Sequence, residues 1–197
     1  MDFADILQKR RTVRLFQQKK VEKEKINSIL NAARLSSCAM NKQVLRYAAV
    51  TEKNMLKKIF DGTLWAAMVR PHRTPVWGVS APDWFIVVHG PQESGASYVK
   101  FDVGAAMMSM QFQAHNLGLG CCWLGSFRSE DVKKLLKLGD DRTVYALAAI
   151  GYPAEEPVFK DIAIDDDQSY YLDGNKRLTV PKYTVETITE FYGEENV

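Results

Sequence analysis

The chain has 197 residues, 46% of them apolar and 11% aromatic, which is the make-up of a sequence that packs a core. Its 26 Lys and Arg nearly cancel 24 Asp and Glu, leaving a net charge of +2, so a protein built to wrap nucleic acid is excluded. The length suits a single domain, 1–197, rather than two independently folding units.

Asp2, Asp5, Lys9 and Arg10 interrupt the first residues, so no secretory leader is expected there. No apolar run approaches the ~20 residues of a membrane span. Cys38, Cys121 and Cys122 are odd in number and form no CxxC pair, which argues against a disulfide framework and a zinc site. The expectation is a cytoplasmic protein with no membrane contact and no metal.

In chain order, Phe3, Ile6 and Leu7 mark a short helix that stops at the basic run 10–14. Ile26, Ile29, Leu30 and Ala33 predict a second helix over about 23–35, followed by a loop of small polar residues at 36–43. A strand is predicted at 47–51, a helix at 55–60, and a long connection at 61–82 holding Trp65, Met68 and Trp77. The apolar run 84–89 reads as a strand covered on both faces. Residues 98–117 predict the main helix, with small and apolar residues all round, and Gly118 to end it. A helix capped by Ser129 and running to about 136 follows, then a strand at 144–150 closed by Gly151. From Ala154 the chain turns polar, with Thr179 and Val180 and a weak helix near Val185, Ile188 and Phe191 before its end. Helices alternating with strands imply an α+β or α/β fold, a sheet with helices packed on it.

Three segments carry possible chemistry. Arg10, Arg11, Thr12 and Arg14 put three guanidinium groups and a hydroxyl within five residues, enough to surround a phosphate dianion, although an ordinary solvated cluster has the same composition. Asn41 and Gln43 could bond the edge of a heteroaromatic ring, or simply belong to a turn. Gly118, Gly120 and Gly125 around Trp123 would let backbone N–H groups approach a planar ligand, and equally suit a buried strand with a glycine turn. The thiols of Cys121 and Cys122 lie among apolar neighbours and are read as inert. His72, His89 and His115 lack metal-ligand spacing, and Met107, Met108 and Met110 read as core.

The order of these segments resembles the FMN-dependent nitroreductase family. Arg10 to Arg14, Ser37 to Gln43, Asp102 to Ala106, Gly118 to Gly125 and Ala148 to Pro153 follow the family's sequence of motifs, with Asn175, Lys176, Arg177 and Leu178 resembling its basic C-terminal element. The chain departs where the family has Pro-Ser and this one has Ser37-Cys38, where Val44 replaces a proline after Gln43, and where Asn175 stands in place of a lysine.

The resemblance implies an α+β nitroreductase-like fold, a mixed and mostly antiparallel sheet flanked by helices, in a homodimer with FMN at the interface. An extension from about 154 to 197 would pack on the partner subunit. It further implies an NAD(P)H-dependent flavin oxidoreductase passing hydride through the flavin N5, by ping-pong, to a small electron-poor acceptor such as a nitroaromatic or quinone. Arg10, Arg11, Thr12, Lys176 and Arg177 would hold the phosphate, and Arg14 would sit by the N1/O2 edge. Asn41 and Gln43, in part from the partner chain, would bond the pyrimidine or ribityl side, with Cys38 replacing a hydroxyl contact. Gly125 and Ser126 would face N5, Trp123 and Leu124 would line the ring, and Trp65, Met68 and Trp77 are candidates for the substrate pocket. No residue is assigned as an acid or base, since the flavin carries the hydride. The alternatives are a flavin-binding sensor or sequestering module, a dehalogenase or dehydrogenase of the same fold, and a flavin-independent scaffold.

Overall fold

The computed structural model describes residues 2–92 and 98–193. Four strands, β1 (Arg46–Val50), β2 (Trp84–Pro91), β3 (Gly120–Leu124) and β4 (Arg142–Gly151), form a wholly antiparallel sheet in the order β1-β2-β4-β3. β2 and β4 lie in the middle, and Phe85 to Val88 and Ala146 to Ile150 are completely buried. Their continuous apolar runs are what a strand covered on both faces requires.

Each face of the sheet has its own core. On one side α2 (Lys23–Arg34) and α4 (Val99–Asn116) pack through Ile26, Ile29, Met107 and Met110 against Ile86, Val88 and Ile150. On the other, α3 (Lys53–Asp61) and α5 (Ser129–Leu135) bring Leu56, Ile59 and Val132 onto Phe85, Val87 and Leu147. Each such fully buried large side chain contributes about 2 kcal/mol of transfer free energy. α4 buries only one half of its circumference, from Asp102 through Ala106 and Met110 round to Gln111, so the expectation of a helix packed all round is not met. Gly118 ends it with φ +73°.

The predicted elements are present with small boundary shifts. Ser129 is the first residue of α5 rather than its cap, and no side chain caps that helix. The final helix, α6 (Val185–Ile188), is a single turn. α1 (Phe3–Lys9) packs on α4, its Phe3 meeting Phe112 edge-on at 5.6 Å. Residues 154–183 form a second sheet, β5 (Val158–Ile162), β6 (Tyr171–Leu172) and β7 (Leu178–Tyr183), in the order β5-β7-β6 with β5 and β7 parallel. This extension contacts the rest of its own chain through Glu155, Phe159 and Tyr170. Residues 194–197 lie outside the described residues. No described helix is long and apolar enough to cross a membrane.

Candidate functional site

Residues 10–16 leave α1 and run as an arm along the open edge of β3. Thr12 forms a parallel bridge with Cys121, and the Val13 N–H donates to the Cys121 carbonyl at 3.2 Å. Phe16 bridges Pro153 and is fully buried. Two glycines that face each other in register, Gly120 and Gly151, admit this arm. A Cβ on Gly120 would lie 2.6 Å from Val13 Cγ1, and one on Gly151 would lie 2.9 Å from Phe16 Cδ1. Gly120 therefore makes room for the arm rather than for a planar ligand, whereas Gly125 faces open space.

The arm brings Arg10 and Arg11 to a cavity of about 650 Å³, closed by Gln111 and His115 of α4, by Phe159 and by Arg177. Arg10 Nη1 donates to the buried Gln111 Oε1 at 3.0 Å. The Arg11 guanidinium lies 4.3 Å over the Phe159 ring. Arg177 Nε bonds Asp173 at 3.1 Å, and its side chain is otherwise half exposed. Burial lowers the pKa of both Arg10 and Arg11, and the charge of Arg10 adds to the effect on Arg11. The Nε–H groups of both arginines and the Nε2 of His115 are buried without a hydrogen-bond partner among the described residues. Guanidinium groups do not deprotonate in proteins, so buried donors left unpaired at this density fit an anion. The donor set suits a phosphate ester.

The other residues predicted for the phosphate stand beside the cavity without lining it. Arg14 lies 5.0 Å over the Tyr170 ring, and its N–H, with that of Leu15, donates to Glu155. Glu155 also pairs with Arg73 Nε at 2.7 Å, both side chains being largely buried, and Arg73 Nη2 donates to the Lys176 carbonyl at 2.6 Å. One carboxylate thus ties the arm, the 61–82 connection and the C-terminal sheet together.

β3 extends the site away from the arginines. Its side chains alternate: Cys121 joins the α4-side core, while Cys122 and Leu124 enter the opposite core. Leu124 is 5% exposed, which corrects its expected place along a ring, and Trp123 is 39% exposed on the α4 side next to Gly104. Gly104 and Gln111 are seven residues apart, two turns along one face of α4, so Trp123 and the arginine cavity share that face. Beyond Trp123, Gly125 and Ser126 are exposed, and among the described residues neither N–H has an acceptor. The Ser126 carbonyl accepts from Leu64 N–H at 2.9 Å.

Cys38, Asn41 and Gln43 are elsewhere. They line a second cavity of about 770 Å³ with Tyr47 and Asp102, and the Asp102 carboxylate accepts from Ala39 N–H at 2.8 Å. Asp102 and Gln111 are nine residues apart on α4, about 14 Å along its axis and on opposite faces. The single chain does not bring these amides to the arginines. Met40, Asn41 and Gln43 all have φ near +50°, a backbone that non-glycine residues adopt at a cost.

The aromatic connection also divides. Trp65 is 3% exposed and donates its indole N–H to Thr63 Oγ1, so it is a core residue and corrects the expectation of a pocket wall. Trp77 packs on Phe60 at 5.4 Å and borders a separate cavity with Trp84, and Met68 is exposed. Burial pushes the Cys122 thiol up to about 12 and that of Cys121 higher still, as inert thiols require. The sequence reading missed Arg73, Gln111, His115, Glu155 and Phe159. A Gln and a His one turn apart on a mostly apolar helix were the signal available.

The profile of the Nitroreductase family matches residues 7–76 and 77–152. A "Putative NADH dehydrogenase/NAD(P)H nitroreductase" of Methanothermobacter thermautotrophicus is 28% identical over 167 residues, covering 82% of this chain and 83% of the relative. An FMN-dependent nitroreductase structure from Clostridium difficile has a TM-score of 0.65 at 25% identity, covering 79% of this chain and 90% of that one. A nitroreductase with bound FMN from Bacteroides fragilis has a TM-score of 0.64 at 18% identity, covering 88% and 100%. The arginine arm, the glycine-seated edge strand and the antiparallel sheet thus belong together, and the chain is a member of the Nitroreductase family.

Proposed function

We propose that the protein is an FMN-dependent oxidoreductase that carries hydride from NAD(P)H to an electron-poor acceptor such as a nitroaromatic or a quinone. The observation that carries this reading is the convergence of Arg10, Arg11 and Arg177 on one cavity with buried, unpartnered guanidinium donors. The relatives' names, and the FMN in the structure from Bacteroides fragilis, support it.

FMN, when bound, supplies the hydride chemistry at its N5. The chain supplies binding and electrostatics. Arg10, Arg11 and Arg177 hold the phosphate, and Gln111 fixes the orientation of Arg10, while Thr12 and Lys176 stand outside the cavity lining. Trp123 forms a flat wall on the same helix face. The N–H groups of Gly125 and Ser126 would be hydrogen-bond donors to the flavin ring, and Arg14 would supply positive charge that favours its reduced form.

Cys38, Asn41 and Gln43 serve the cofactor of a second copy, which makes the working unit a homodimer. Their position on the opposite face of α4 supports this, as do the exposed Phe3, Leu7, Met40 and Phe101. Three free thiols suit a reducing cytoplasm.

The test is to strip the purified protein of flavin and titrate it with FMN and with riboflavin. FMN should bind about tenfold more tightly or better, since one charge-assisted hydrogen bond is worth about that factor, and Arg10→Ala should remove the preference. Either NADH or NADPH should bleach the yellow colour without oxygen, and an added quinone should restore it through repeated cycles. Equal affinity for the two flavins would sink the phosphate assignment, and a colour indifferent to both nucleotides would sink the oxidoreductase reading.

A further inference from the structure

His115 has no part in the reading above, yet it lines the arginine cavity. It lies one turn beyond Gln111 on the same face of α4. Its Nε2 is buried and has no partner among the described residues. A buried ring nitrogen without a partner is a cost that a bound state can remove.

We propose that His115 couples cofactor binding to proton uptake: it is neutral in the empty cavity and becomes imidazolium when a phosphate dianion settles among Arg10, Arg11 and Arg177. The inference rests on the FMN reading and adds to it a residue and a proton.

The surroundings give the sign. α1 brings Lys9, which is paired with Asp5, and the arm brings Arg10 and Arg11. β3 brings Cys121, whose buried thiol stays neutral. The C-terminal segment brings Glu155, already committed to Arg73, together with Glu156 and Arg177. α2 meets this end of α4 through the uncharged bond from Gln113 to Ser28, and its charges are Lys23, Glu24, Lys25 and Arg34. Cations therefore dominate the cavity. Burial first, and then Arg10, Arg11 and Lys9, hold the His115 pKa below its ordinary value. A dianion among those arginines cancels their field, so the same imidazole accepts a proton at a higher pH than before. Protonation in turn gives the phosphate another cation, so the contribution of His115 to FMN binding grows as the pH falls through this range.

The phosphate itself titrates near pH 6 and loses protons on binding to cations, the opposite direction. Calorimetric titration of the flavin-free protein with FMN, in two buffers of different ionisation enthalpy, counts the net protons. At about pH 6.5 the wild type should take up roughly half a proton more than His115→Gln does. Identical counts in the two proteins, with FMN still binding to both, would overturn the proposal while leaving the cofactor reading intact. No FMN binding in either would overturn the cofactor reading instead. A second measurement needs no variant: NMR titration of the three imidazoles of the wild type, with and without FMN. One signal should change at higher pH when FMN is present, and three signals indifferent to FMN would refute the coupling.

Discussion

Gly120 is the residue on which the arginine arm depends most directly. Its missing side chain is the space Val13 occupies, so Gly120→Ala must push the arm off β3 or distort the strand. The expected cost is about 1–3 kcal/mol in denaturant unfolding, with weaker FMN binding than the stability loss alone would give. Glu52 makes a different kind of local claim. Its carboxylate accepts from the N–H groups of Asn54 and Met55 at the start of α3, and those bonds hold its pKa below the ordinary value. A depressed carboxylate stabilises the fold above its unfolded pKa of about 4, and that contribution is lost as the pH falls through the folded value. Glu52→Ala should therefore lower the melting temperature at neutral pH, and the gap from wild type should close in acid. At this scale the sequence was legible where a residue acts through its neighbours in the chain, as Arg10, Arg11 and Gly118 do. Gln111 and His115 were not, because what they do depends on the arm folded against them, some hundred residues earlier in the chain.

Among the elements, α4 and the C-terminal sheet matter most for the site. The composition of α4 suggests a helix packed all round, whereas only one half of it is buried, and its two buried polar residues, Asp102 and Gln111, face different cavities. That follows from counting turns once the neighbours are known. The small sheet was read only as a polar extension, since its three strands are short and one is two residues long. Glu155 fastens it to the arm. Glu155→Ala would leave Arg73 largely buried without its charge partner and two N–H groups of the arm without an acceptor. Breaking such a pair costs about 3 kcal/mol. Chemical denaturation should show that loss, and limited proteolysis should cut within 154–183 before it cuts the main sheet.

At the scale of the whole molecule, the fold was readable from apolar runs and turn residues, whereas the division of the predicted site between two sides of one helix was not. If the amides of one chain serve the arginines of another, two defective chains can repair each other. Mixing Arg10→Ala with an Asn41→Ala, Gln43→Ala double variant, after unfolding and refolding together, should place both defects in one site of each mixed dimer and neither in the other. Random pairing then predicts about a quarter of wild-type turnover from two nearly inactive parents. Recovery no greater than the sum of the parents would mean that each chain completes its own site. The seating of the arm also sets an order of events during folding. Val13 and Phe16 have no seat until Gly120 and Gly151, more than a hundred residues downstream, are paired with one another. Contacts of such long sequence separation form slowly. The chain must be synthesised past Gly151, and its main sheet closed, before the arginines can come into position, so the ability to take up the cofactor is acquired after the core.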